Sequence, residues 1–247
     1  MSLWLLGGLD PTGGAGVLRD FATANRIAPS LPVHCVVTAW TRQGTGAPAQ
    51  SAAVDSERLV WQLRALPQPQ AVKIGLVPAG LEDPLLECLA EVEAPIVLDP
   101  VLRASDGGVL GSTPQTLERL IARATLVTPN LDEAAALVDA GGDAGDLLVT
   151  LRERFPKVGI LLKGGHAREA DCVVDRLSTS ARVHELVRPR WPGPDPRGTG
   201  CALATAIACH LAQGESLEEA VSAAVSWLDV ARRAVVRRGA STHLRSD

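Results

Sequence analysis

Arg197-Gly198-Thr199-Gly200-Cys201 runs straight into Ala202-Leu203-Ala204-Thr205-Ala206-Ile207-Ala208-Cys209. Glycines and a threonine turn the backbone, and an unbroken run of helix formers follows. The N–H groups of a helix's first turn have no partner inside the helix, and with the macrodipole they make a site for an anion. A phosphate in transit suits such a site. Cys201 sits just inside that start, where positive potential lowers a thiol pKa and makes a thiolate accessible. The competing reading is a turn followed by a small buried cysteine that packs as an apolar residue. On this stretch alone the two weigh about equally.

Other residues offer complementary chemistry. The chain has 24 basic residues, and only Lys73, Lys157 and Lys163 among them are lysines. Arg and Lys are not interchangeable, so the few lysines mark places where a compact ammonium is needed, unless chance put them there. Lys163, at a strand end before Gly164-Gly165, can reach a phosphate without steric obstruction. Asn130 and Glu133 lie three apart at a helix start, so their side chains can face one direction. An amide and a carboxylate so placed can hold a hydrated magnesium ion. The same pair also spells a capping box. Gln43 offers both a donor and an acceptor, as an aminopyrimidine edge requires; a surface glutamine is the alternative. Asp99, at a strand end before Pro100, either points into a crevice or caps a turn. Asp20 reads first as a solvated helical carboxylate, and His166 as structural. Leu9-Asp10-Pro11-Thr12-Gly13-Gly14-Ala15-Gly16 is a glycine-rich loop that lets backbone approach a ligand closely. It is neither G-x-G-x-x-G nor a Walker A loop.

These residues need elements to position them. Apolar runs predict strands at 3–6, 33–38, 71–76, 95–98, 125–128 and 158–162, with a hairpin near 172–176 and 183–189. Helical spacing covers 16–27, 55–66, 81–92, 113–122 and 144–155, and a helix also starts near Asn130. Residues 199–213 form a helix that stops at Gly214, and Ser216 with Glu219 caps a last helix to about 238. The tail 241–247 is expected to be loose. Strands alternating with helices predict one α/β domain over 1–247 with a mainly parallel sheet. In such sheets ligands bind at the carboxyl ends of the strands, where the loops 39–46, 99–100, 129–133 and 163–166 fall.

Composition narrows the function. The 247 residues are 46% hydrophobic and 21% charged, as in a soluble globular protein. A net charge of −4 argues against nucleic acid as the main partner. No apolar run approaches the ~20 residues that span a bilayer. The start lacks a basic n-region, so no signal peptide is expected. Cys35, Cys88, Cys172, Cys201 and Cys209 lack C-x-x-C spacing and suggest neither zinc nor a disulfide framework. A reducing cytoplasm fits best.

Taken in order, the motifs resemble the ribokinase-like superfamily, and within it the hydroxymethylpyrimidine/phosphomethylpyrimidine kinase family of thiamine biosynthesis. The resemblance rests on Gly8 to Gly16 with Asp20, Thr38-Ala39 to Gln43, Lys73-Ile74-Gly75 and Val97-Leu98-Asp99-Pro100-Val101. It continues with Thr128-Pro129-Asn130 and Glu133-Ala134, Leu162-Lys163-Gly164-Gly165-His166, and Gly198-Thr199-Gly200-Cys201. It implies a three-layer αβα fold and ATP-dependent phosphorylation of 4-amino-5-hydroxymethyl-2-methylpyrimidine, of its monophosphate, or of both. Pyridoxal kinase-like activity and a non-catalytic pyrimidine-binding member are the alternatives. On this resemblance Cys201 is the base, and Gly198, Thr199 and Gly200 form an anion hole. Gln43 reads the pyrimidine, in a pocket lined by Asp20, Gly13, Gly14, Gly16 and Leu76. Lys163, Thr128, Asn130 and Thr199 serve ATP, and Glu133, Asn130 and Asp99 serve Mg2+; Arg197, where the chain leaves the family pattern, is expected to add a charge at the nucleotide phosphates. The implied partner is a small pyrimidine alcohol or its phosphate, with no nucleic acid and no membrane, and a homodimer is compatible with the family. The chain departs from the usual family pattern at Pro196-Arg197, after Pro192-Gly193-Pro194-Asp195, and at Trp40, Arg42, Gly44 and Leu76.

Overall fold

The first strand, β1 (Leu3–Leu9), shows how the layers arise. Successive side chains of a strand leave on opposite faces. Leu3 and Leu5 therefore enter one apolar core, and Trp4 and Leu6 another. The computed structural model describes residues 2–43, 48–104, 107–165, 171–191, 196–238 and 241–245. Gly44, His166 and the run Pro192 to Asp195 lie outside the described residues.

Beside β1 lie β2 (Val33–Arg42) and, beyond it, the antiparallel β3 (Gln50–Ala53). On the other side follow β4 (Ala71–Ile74), β5 (Ile96–Leu98), β6 (Leu126–Val127) and β7 (Gly159–Leu162), all parallel to β1. The antiparallel pair β8 (Cys172–Ser178) and β9 (Val183–Pro189) completes the sheet. The order is β3-β2-β1-β4-β5-β6-β7-β8-β9. Strands β4, β5 and β7 are buried along their whole length, as parallel strands covered on both faces must be.

Helices cover both faces. α1 (Gly16–Ile27), α7 (Thr199–Ala212) and α8 (Leu217–Ala231) pack on the Leu3 and Leu5 face. α2 (Ser56–Arg64), α3 (Glu82–Leu89), α4 (Pro114–Arg123), α5 (Leu131–Val138) and α6 (Ala144–Arg154) pack on the Trp4 and Leu6 face. This is the expected three-layer αβα arrangement. α7 is buried nearly all round and built of alanines, so its backbone lies close to the sheet. That brings its amino end to the carboxyl ends of β4 and β5.

Two expectations fail at the C-terminus. The last helix ends at Ala231 rather than near 238, and β10 (Val235–Arg238) pairs with β11 (Ser241–Leu244). The supposedly loose tail is thus a strand in which His243 and Leu244 are buried. The β-branched pair Val235-Val236 prefers a pleated ribbon to another helical turn.

Candidate active site

The strand ends open into one cleft of about 670 Å³, a volume suited to small ligands. Its walls carry Gly8, Gly16, Thr41, Gln43, Lys73, Leu76, Asp99, Asn130, Glu133, Lys163 and the segment 196–201. Chain segments far apart in the sequence thus converge on one volume.

Gly198 begins α7 in the left-handed region, at φ 78° and ψ 12°. A Cβ there would lie 2.1 Å from the Gly14 carbonyl oxygen, so no other residue fits. The close approach locks the glycine-rich loop onto the helix start. No side chain caps that start and no acidic residue occupies its first turn, which leaves its N–H groups to the cleft. Gly198, Thr199 and Gly200 thus stand at an uncapped helix start that lines the cleft. Lys163 reaches it from β7, since a Cβ on Gly200 would sit 3.3 Å from the Lys163 Nζ.

Cys201 faces this cleft, but its thiol is not acidic. Burial pushes it up to about 11, with Asp20 and Asp99 adding to the rise. The Lys73 ammonium and the Gly16 N–H pull the other way and do not prevail. The sequence expectation of a lowered pKa is corrected here. A helix start supplies about half a charge, and desolvation in an acidic surround outweighs it.

Lys73 is the residue that local reasoning left without a role. It sits in the middle of the sheet, 1% exposed, and binds Asp20 at 2.7 Å. Burial works against its charge, but Asp20, Cys201 and Asp99 overcome that cost and raise its pKa. The rarity of lysine in this chain was the available signal. Asp20 in turn accepts a hydrogen bond from Thr205 at 2.9 Å. Asp20 is fully buried and is not the solvated carboxylate that its helix position suggests. It stands behind the wall and holds Lys73 in place.

Lys163 binds Asp99 Oδ1 at 2.9 Å and approaches Glu133 Oε2 at 3.9 Å. Burial opposes the charge on Asp99, yet Lys163 and Lys73 hold its carboxyl below the ordinary range. Thr128 is buried and donates to the same Asp99 oxygen at 3.2 Å. It therefore supports Asp99 from within the core. Asn130 and Glu133 do form the capping box, with both cap bonds at 2.8 Å. The box uses Glu133 Oε2 and leaves Oε1 out of the cap. Burial pushes Glu133 up to about 7. Among the described residues no three His, Cys, Asp or Glu side chains gather to hold a metal directly. Two carboxylates flanking one ammonium fit a cation that keeps most of its water.

Gln43 and Thr41 face the cleft from alternate positions of one extended segment. Trp40 and Arg42 point away, Trp40 being 57% exposed and Arg42 bonded to Gln50. These two departures from the family pattern therefore do not touch the pocket. Leu76 and Gly16 line the cleft as expected. Gly13 and Gly14 do not; the Gly13 carbonyl accepts from Arg19, and Gly14 packs on His243. Arg197, expected at the nucleotide phosphates, instead binds Gln43 Oε1 at 2.6 Å and lies 3.5 Å from Asp10. Asp10 was not singled out by sequence reasoning and is fully buried at this junction.

Comparison with known proteins decides the family. The sequence model described as phosphomethylpyrimidine kinase matches residues 10–244. The chain belongs to the phosphomethylpyrimidine kinase family. Its relatives include a hydroxymethylpyrimidine/phosphomethylpyrimidine kinase of Streptomyces coelicolor, 35% identical over 90% of this chain and 84% of the relative. A phosphomethylpyrimidine kinase of Clostridium difficile superposes with a TM-score of 0.76 at 27% identity, covering 94% of this chain and 99% of that one. The ADP complex of Bacillus subtilis pyridoxal kinase has a TM-score of 0.86 at 21% identity, covering 100% and 97%, a likeness of fold. No helix among the described residues is long and apolar enough to cross a membrane.

Proposed function

We propose that this member of the phosphomethylpyrimidine kinase family transfers the γ-phosphoryl group of ATP to 4-amino-5-hydroxymethyl-2-methylpyrimidine, to its monophosphate, or to both, in thiamine biosynthesis. The observation that carries this reading is the meeting of an uncapped helix start, Lys163 and Cys201 in the cleft that also holds Gln43.

The pyrimidine ring lies against Leu76 and Gln43, with its hydroxymethyl group toward Cys201. The alcohol oxygen attacks the γ-phosphorus, the bond to the ADP oxygen breaks, and the alcohol proton passes to the Cys201 sulfur. The N–H groups of Thr199 and Gly200 and the Lys163 ammonium neutralise the charge that spreads over the transferred group. Such positioning and neutralisation supply most of the acceleration in phosphoryl transfer. Glu133 and Asp99, with Asn130 beside them, would hold a hydrated magnesium ion, which would supply positive charge to the phosphates of ATP. Lys73 and Asp20 form the fixed floor under the sulfur. We place the enzyme in the cytoplasm, and a homodimer agrees with the family.

Measuring ADP release with the aminopyrimidine alcohol, its monophosphate and pyridoxal tests this. One of the pyrimidines is expected to exceed pyridoxal in kcat/KM by at least about tenfold, because Gln43 is left partly unpaired by the wrong ring edge. Faster turnover of pyridoxal, or pyrimidine binding without ADP, would overturn it.

A further inference from the structure

The contact between Arg197 and Gln43 joins two segments separated by 154 positions in the chain. A guanidinium has only donors, so the group it meets must be the amide oxygen. The other end of the amide obeys a matching constraint. Thr41 donates its hydroxyl proton to the Leu9 carbonyl at 2.9 Å, so its oxygen can only accept from Gln43 Nε2, at 2.9 Å. Both neighbours demand the same rotamer of the amide. What remains free on Gln43 is one lone pair on Oε1 and one proton on Nε2. An acceptor and a donor side by side complement a ring edge that carries an amino group next to a ring nitrogen.

Arg197 is itself held firmly. Its backbone N–H donates to the Thr242 carbonyl at 2.8 Å, and it bridges to His243 of β11. Its side chain is 15% exposed and lies beside the fully buried Asp10, whose carboxylate also accepts from Thr12 and Ala15. The C-terminal ribbon thus anchors a cation over the ring end of the cleft.

We infer that Arg197 is a specificity-determining positioning residue, which fixes the Gln43 amide so that the cleft presents an acceptor–donor edge to an aminopyrimidine. This rests on the proposed reading of Gln43 as the contact to the ring. A charged donor on the amide oxygen also strengthens the remaining N–H as a donor.

The test is a double-mutant cycle of Arg197→Met and Gln43→Ala, in steady-state kinetics with the aminopyrimidine alcohol and ATP. Arg197→Met is expected to raise KM for the pyrimidine by about 10- to 100-fold, the span of a hydrogen bond to a charged group. Its kcat and its KM for ATP should stay near wild type. On the Gln43→Ala background the same change should add less than about twofold, because coupled sites are non-additive. Arg197→Lys, whose head also only donates, should fall between wild type and Arg197→Met. A merely structural role would instead lower activity on both backgrounds. That result, or a rise in KM for ATP alone, overturns the inference. A wild-type enzyme that does not accept the aminopyrimidine overturns the reading of the site and the inference with it. Normal wild-type turnover with an unchanged Arg197→Met overturns the inference alone.

Discussion

Replacing Cys201 by alanine is expected to lower kcat by about 10²- to 10⁴-fold, the range for loss of a positioned base, with pyrimidine KM little changed. The sulfur lies at the amino end of α7 and faces the cleft, whereas the proposed ring contacts come from Gln43 and Leu76. Its pH dependence carries a sign. The thiol stands at about 11, so the thiolate fraction grows as pH rises. In the wild type, kcat should climb about tenfold per unit between pH 7 and 10, since each unit below a pKa lowers the deprotonated fraction tenfold. In Cys201→Ala the profile should be flat across the same interval. Parallel profiles in the two proteins would remove Cys201 as the base.

Lys73→Met is expected to have the largest effect on stability. The Lys73–Asp20 pair is 1% and 0% exposed, and the two atoms lie 2.7 Å apart. Removing one partner of a buried ion pair costs about 3–5 kcal/mol, because the other charge is left without compensation. Asp20 would keep only the Thr205 hydroxyl. Urea unfolding of Lys73→Met measures the loss. Adding Asp20→Asn should recover a large part of it, because the stranded charge is then gone. A single variant as stable as the wild type would contradict a stabilising role for the pair. A double variant no better than the single would contradict the cause assigned to the loss.

The same pair shows what the sequence could not reveal. Asp20 looks like a solvated carboxylate on α1, because its partner is 53 positions away on β4. The Cys201 thiol fails in the same way. A helix start is visible in Gly198-Thr199-Gly200, but the burial of that start against Asp20 and Asp99 is not. The charge of Arg197 suggests a phosphate contact, while its side chain answers to Gln43 and Asp10, which are distant in the sequence. Elements defined by local pattern were legible. The parallel strands are mainly apolar runs, and both capping boxes, at Asn130 with Glu133 and Ser216 with Glu219, lie where their spacing puts them. Strand β3 was missed because Gln50-Ser51-Ala52-Ala53 has no β-branched residue; pairing with β2 alone makes it extended. The helix break after Ala231 was hidden because Gly239 is the first breaker in that stretch, and the pairing of β10 with β11 decides the matter earlier.

The most direct test is a crystal structure with the aminopyrimidine alcohol and a non-hydrolysable ATP analogue bound together. The account predicts the alcohol oxygen within hydrogen-bonding distance of Cys201 Sγ, the ring edge on Gln43, and the terminal phosphate at the N–H groups of Thr199 and Gly200 beside Lys163. A pyrimidine bound away from Gln43, or a terminal phosphate remote from the start of α7, would contradict it.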